Sequence, residues 1–139
     1  MHLVLHVLST AQALEKAGQR IFKPHGLTVA QFNVLNLLAA RPEGMRASDL
    51  AKALVVDPSN ITGLLKRLNR AGYLQELASP TDARQRIVAL SGKGRRLWRQ
   101  AHPAYERKLK EFEAKIAESD RRAVEKVLTL MDAEASSIP

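Results

Sequence analysis

The stretch Asp57-Pro58-Ser59-Asn60-Ile61-Thr62-Gly63-Leu64-Leu65-Lys66-Arg67-Leu68-Asn69-Arg70-Ala71-Gly72 decides how this chain folds. It reads as one helix with a marked start and stop. Asp57 suits the N-cap, where a carboxylate accepts from an orphan backbone N–H. Pro58 fits the first helical position, where a missing N–H costs nothing. Gly72 suits the left-handed residue that closes a helix. Ile61, Leu64, Leu65 and Leu68 fall at i, i+3, i+4 and i+7, so one stripe is apolar. The opposite face carries Ser59, Asn60, Thr62, Gly63, Lys66, Arg67 and Arg70, with no acid after the cap. A helix meant only to stay soluble mixes both signs. This face suits a polyanion, with small hydrogen-bonding groups at its N-terminal end and cations further along.

Charge around the stretch points the same way. The 139-residue chain carries 22 Lys and Arg against 14 Asp and Glu, a formal +8. Residues 57–99 hold nine bases (Lys66, Arg67, Arg70, Arg84, Arg86, Lys93, Arg95, Arg96, Arg99) and three acids (Asp57, Glu76, Asp82), a net +6 within 43 residues. Clustering of this kind is the electrostatic footprint of nucleic-acid binding. Aromatic residues make up 4% of the chain, too few for a base-stacking platform of the single-strand-binding type. There is no cysteine, which excludes disulfides, thiolate zinc sites and thiol switches. Met1–Leu8 is apolar but short and has no basic n-region, so neither a signal peptide nor a membrane span is expected, and the expected compartment is the cytoplasm. No nucleophile–base set, phosphate loop or cofactor fingerprint appears, so no enzyme, cofactor or metal is expected. His2 and His6 share one helix face at i, i+4, but no further ligand accompanies them.

Outward from the organising helix, the periodicity predicts a mainly α chain with a small β-hairpin. A first helix runs from about Leu3 to Phe22 with a broad apolar stripe (Leu3, Val4, Val7, Leu8, Ala11, Leu14, Ala17, Ile21), and Pro24-His25-Gly26 ends it. So wide a stripe packs either on the chain's own core or on a second copy. Thr28 with Gln31 forms a capping box for a second helix, whose stripe is Phe32, Leu35, Leu38 and Ala39. A third helix near Ala47–Val55 buries Leu50, Ala51 and Leu54, and Val55-Val56-Asp57-Pro58 turns into the organising helix. Two short helices joined by a tight turn, the second with a basic face, have helix-turn-helix spacing. Then the period changes to two. Residues 73–77 and 86–90 read as strands around the turn signature Ser79-Pro80-Thr81-Asp82, which makes a wing. Ser91 caps a long helix to about Ala117, with a seam at Tyr105, Leu109, Phe112 and Ile116. Pro103 is expected to kink or split it. Ser119 is the expected cap of a last helix with a stripe at Val124, Val127, Leu128 and Met131.

This order, with Leu27-Thr28-Val29-Ala30-Gln31-Phe32-Asn33-Val34-Leu35, Leu50-Ala51-Lys52-Ala53-Leu54, the organising helix, and Asp82-Ala83-Arg84-Gln85-Arg86-Ile87-Val88-Ala89-Leu90-Ser91 followed by Gly94, resembles the MarR family of bacterial transcription regulators over nearly the whole chain. The helix-turn-helix part alone is common. The wing pattern Asp-x-Arg, then Val-x-Leu-Ser-x-x-Gly, at its distance after the helix is far more specific. The resemblance implies a winged helix-turn-helix lobe over residues 27–91 and N- and C-terminal dimerisation helices over 1–26 and 92–139, in a homodimer on double-stranded DNA. It places Ser59, Asn60, Thr62 and Gly63 near base edges, Lys66, Arg67 and Arg70 near phosphates, and Arg84 and Arg86 on the wing. Arg84 would enter the minor groove with Asp82 holding its guanidinium. The family usually has Thr or Ser where Arg46 stands, with Ser48 two residues on; Ser48 joins the expected DNA contacts and Arg46 offers a phosphate contact. The resemblance further implies repression of a pseudo-palindromic operator and release by a small-molecule effector, often an aromatic acid, in a pocket near Arg20, Phe22, Phe32 and Leu35. Two other functions remain open on the residues alone: an architectural DNA-binding protein without effector, and a winged-helix protein-interaction module. Beside these, Asp57 serves as a cap, and Trp98 is expected to pack beneath the wing.

Overall fold

The computed structural model describes residues 2–54 and 58–139. The elements run α1 (Leu3–Phe22), α2 (Val29–Ala39), β1 (Met45–Arg46), α3 (Ala47–Leu54), α4 (Pro58–Arg70), β2 (Leu74–Ala78), β3 (Arg86–Leu90), α5 (Gly92–Glu113) and α6 (Glu118–Ser136), with a short 3-10 turn at Lys23–His25. The expected helix order and the hairpin are present. The Asp57 cap and the Val55–Asp57 turn lie outside the described residues. The chain forms two compact units, Met1–Tyr105 and Glu106–Pro139.

In the first unit the core is built by the stripes that periodicity picks out. Phe32, Leu35 and Leu38 of α2, Leu50 and Ala51 of α3, and Ile61, Leu64 and Leu68 of α4 are buried together with Phe22, Leu74, Leu90 and Ala101. Thr28 closes the capping box: its Oγ1 accepts from the Gln31 N–H at 3.1 Å, and its own N–H donates to Gln31 Oε1 at 3.0 Å. The sheet has three strands in the order β1-β3-β2, all antiparallel. β1 escapes sequence reading because two residues, Met45↔Val88 and Arg46↔Ile87, are too few to show a period. Gly44, at φ +81°, permits the close approach of this strand to β3: a Cβ there would stand 2.7 Å from the Val88 carbonyl oxygen.

The join between α4 and α5 is dense. Gly72 is left-handed at φ +84°, as the stop signal requires. Ser91 Oγ donates to Gly72 O at 2.6 Å and accepts from the Gly94 N–H at 3.1 Å, and the Ser91 N–H donates to Tyr73 O at 3.1 Å. Lys93 Nζ donates to Ala71 O at 2.8 Å and lies over the Tyr73 ring. The cation thus settles on the carbonyl end of α4, where the helix dipole is negative. Gly94 is buried with no room for a side chain: a Cβ would lie 2.1 Å from Tyr73 O.

Of the kink or split expected at Pro103, the split is absent: α5 continues from Gly92 to Glu113 with Pro103 inside it. A proline forfeits one backbone donor and crowds the preceding turn, and flanking turns can still propagate around it. The last helix begins at Glu118 with Ala117 as its N-cap and no capping side chain, so Ser119 sits inside the first turn, where Glu118 and Asp120 face the positive helix end instead. Trp98 packs against α2 as well as the core: its Nε1–H donates to Asn36 Oδ1 at 3.0 Å and its ring stacks on His102.

The apolar stripe of α1 is only partly covered: Phe22 is buried, and Val7, Ala17 and Ile21 are half-buried. Leu3, Val4, Leu5, Leu8 and Leu14 are all about half exposed or more. In the second unit, Phe112, Val124, Val127, Leu128 and Leu130 are likewise exposed. Arg121 pairs with Glu113 there, and Arg122 with Glu118.

Candidate nucleic-acid interface

Helix α4 is held from beneath and open above. Ile61, Leu64 and Leu68 are buried, Leu65 is half-buried, and Ser59, Asn60, Thr62, Lys66, Arg67 and Arg70 are exposed. Gly63 is half-buried, and a Cβ there would meet only the far end of Arg67, at 3.8 Å. No acid lies on the helix between Pro58 and Arg70. The outer face is therefore free of acid, with small polar residues and a glycine in its N-terminal half and the cations Lys66, Arg67 and Arg70 in its C-terminal half. Ser48, on α3, is exposed too.

The wing is shaped by its own side chains. Ser79 Oγ accepts from the N–H groups of Thr81 and Asp82, at 3.3 and 3.2 Å. Asp82 Oδ1 accepts from the Arg84 N–H at 2.9 Å, and the Gln85 N–H donates to Asp82 O at 3.1 Å. Asp82 therefore acts on Arg84 through the backbone, as the acceptor of a local turn. The expected pairing of its carboxylate with the guanidinium is replaced by this bond, because the main-chain donor two residues on is the nearer partner. Arg84 stays exposed at the tip. Arg86, at the start of β3, is exposed and lies 3.8 Å from Glu76 across the ladder, a loose pair.

Between α4 and the wing lies a cavity of about 270 Å³ whose lining includes Ala47, Thr62, Lys66, Glu76, Arg86 and Val88. It brings α3, α4 and both long wing strands to one face. Thr62, Lys66 and Arg86, far apart in sequence, share its rim, so the structure unites the helix and wing contacts that sequence reading treats separately.

The expected effector residues have a different setting. Phe22 and Phe32 stack with ring centroids 4.1 Å apart, and Tyr105 tilts against both at 5.8 and 5.1 Å. Phe22, Phe32 and Leu35 are buried, whereas Arg20 is exposed on α1.

Sequence reading missed two charged pairs. Arg46 Nε and Nη2 donate to Asp49 Oδ2 and Oδ1 at 2.8 and 3.3 Å, and Glu76 faces Arg86. The first had a local signal, opposite charges at i, i+3 across a helix start. The second depends on strand register. Among the described residues no group of three or more His, Cys, Asp or Glu is placed to hold a metal ion, and no helix is long and apolar enough to cross a membrane.

The MarR family model matches residues 25–85, the segment that contains α2 to the wing tip. The transcriptional activatory protein BadR of Rhodopseudomonas palustris is 36% identical over 99 residues, which cover 69% of this chain and 56% of BadR. The homoprotocatechuate degradative operon repressor of Escherichia coli is 30% identical over 115 residues, covering 82% of this chain and 76% of the repressor. The chain belongs to the MarR family. That family consists of transcription regulators and not enzymes. The chain spans little more than half the length of BadR and about three quarters of the repressor. The solved structure of the M. tuberculosis regulator MosR in complex with DNA superposes with a TM-score of 0.79, at 25% identity over 99% of this chain and all of that one. The MarR fold here is thus mainly helical, with a three-stranded antiparallel wing and long terminal helices.

Proposed function

We propose that this MarR-family chain is a sequence-specific regulator that binds double-stranded DNA as a homodimer on a pseudo-palindromic operator, in the cytoplasm, and acts as a repressor. The observation that carries the reading is the acid-free outer face of α4 with Arg84 and Arg86 flanking it on the wing. Small donors at a helix N-terminus suit base edges in the major groove, and cations beyond them suit phosphates. Arg84 suits a narrow minor groove, whose potential attracts guanidinium. The exposed apolar residues of α1 are the kind of surface that a second copy covers. MosR is seen with DNA, and of the two relatives named above one is a repressor and the other an activator.

The effector in this reading is a small aromatic acid. Its support is the relative that governs homoprotocatechuate degradation, together with the aromatic cluster at Phe22, Phe32 and Tyr105 and the exposed cation Arg20. Binding at that cluster requires Phe22 and Phe32 to part, since their rings are in contact.

Selection from a pool of random duplexes tests the reading. The expected product is an inverted repeat with half-site centres about one helical turn apart, roughly 10 bp. Recovery of no motif, with equal affinity for all duplexes, would leave only an architectural DNA-binding role. Absence of duplex binding at low salt would leave only a protein-interaction role.

A further inference from the structure

We propose that Arg46 is an additional contact to the sugar–phosphate backbone, made by a guanidinium whose plane is set in advance by Asp49. This rests on the duplex-binding reading above and adds a residue to its interface. Two placements put Arg46 at that interface. As the last residue of β1 it pairs with Ile87, next to Arg86 on the wing. Its other neighbour, Ala47, lines the cavity shared with Thr62, Lys66 and Arg86. Arg46 therefore stands where the wing root, the start of α3 and the rim of α4 come together.

The side chain has the geometry of a phosphate donor. Nε and one Nη2 hydrogen are engaged by the two oxygens of Asp49. That leaves the Nη1 hydrogens and the second Nη2 hydrogen on other edges of the planar group. The side chain is 48% exposed and Asp49 38%. The hydrogen bond and charge of Arg46 hold the Asp49 carboxyl below its ordinary range, so the carboxylate is ionised at neutral pH. An exposed pair of this kind contributes little to stability, so the fold itself gains little from the bidentate geometry. As an orienting device it has a clear use. A free arginine loses rotamer entropy when it docks, whereas a guanidinium already fixed loses less per bond formed. Phosphate recognition by such a fork is bidentate and independent of sequence.

The test measures duplex affinity of the full-length protein against salt concentration, on its selected site and on an unrelated duplex. Arg46→Ala should weaken binding about tenfold on both, the usual scale of one charged hydrogen bond, and reduce the slope of log K against log salt by about one. Arg46→Lys keeps the charge and lacks the fork; it should keep the slope and lose several-fold in affinity. Lys66→Ala runs in parallel. If wild type shows no salt-dependent duplex binding, the functional reading falls and this inference with it. If Lys66→Ala lowers the slope while Arg46→Ala leaves it unchanged, this inference alone is overturned. Wild-type affinity in Arg46→Lys would overturn the orienting role of Asp49. Unchanged melting and sedimentation of Arg46→Lys keep the comparison valid should Arg46→Ala fold poorly.

Discussion

Replacing Gly94 with alanine sets two effects of opposite sign against each other. In an unobstructed helix interior the change gains about 1 kcal/mol, because glycine is the poorer helix former. Here the new Cβ would lie 2.1 Å from Tyr73 O, 2.9 Å from Tyr73 C and 3.2 Å from Tyr73 Cα. All three are backbone atoms, so no side chain can rotate aside. Relief requires the first turn of α5 to back away by roughly 1 Å, since overpacked groups move only as far as contact demands. That motion pulls on the Ser91 bonds to Tyr73 O and Gly72 O. Two hydrogen bonds at about 1 kcal/mol each, with an overpacking cost of about 1–3 kcal/mol, outweigh the propensity gain and leave a net loss of about 2–4 kcal/mol. At about 4 °C per kcal/mol for a chain of this length, the melting temperature should fall by roughly 8–16 °C. The assay is thermal unfolding followed by far-UV circular dichroism, with wild type and variant at equal protein concentration because association shifts the midpoint. A midpoint equal to or above that of wild type would refute the clash and the close docking of α5 on the end of α4.

Gly63→Ala should behave in the opposite way: open space around its Cβ leaves the propensity gain of up to about 1 kcal/mol, while duplex affinity falls if the backbone there approaches DNA. A rise in midpoint without loss of binding would take Gly63 out of the interface. Arg84→Ala should weaken operator binding about tenfold or more and leave the sedimentation of the protein unchanged; an unchanged gel-shift titration would remove the wing tip from DNA. Asp82→Asn should keep near-wild-type binding, since an amide oxygen can still accept the Arg84 N–H, whereas Asp82→Ala should not. Equal losses in both would show that the charge matters instead. Glu76→Gln frees Arg86 from its loose partner and should raise duplex affinity by a few-fold, the scale of an exposed pair; a decrease measured by fluorescence anisotropy would mean that Glu76 supports the wing rather than restraining it.

Much of this fold is written locally. The capping box at Thr28 and Gln31, the left-handed stop at Gly72 and the 3.6-residue stripes of α2, α3 and α4 each depend on residues within one or two turns, and all appear where the residues place them. What eluded sequence reading is what depends on distant partners. Met45 and Arg46 form a strand only because β3 passes beside them. Pro103 reads as a breaker, but the helix continues on both sides of it and absorbs one missing donor. Asp82 and Arg84 suggest an ion pair by charge; the shorter path from carboxylate to backbone N–H decides the geometry. The candidate interface was legible as a list of residues. Its shared rim, where Thr62, Lys66 and Arg86 come together, became visible only in three dimensions.

The junction between α4 and α5 behaves as a weld and not a hinge. Ser91 and Lys93 grip the last carbonyls of α4 and the turn that follows, and Gly94 sits flush against Tyr73. A twist delivered to the first turns of the long helix therefore reaches the outer face of α4 with little slack in between, and a small rotation there re-aims every cation that α4 displays.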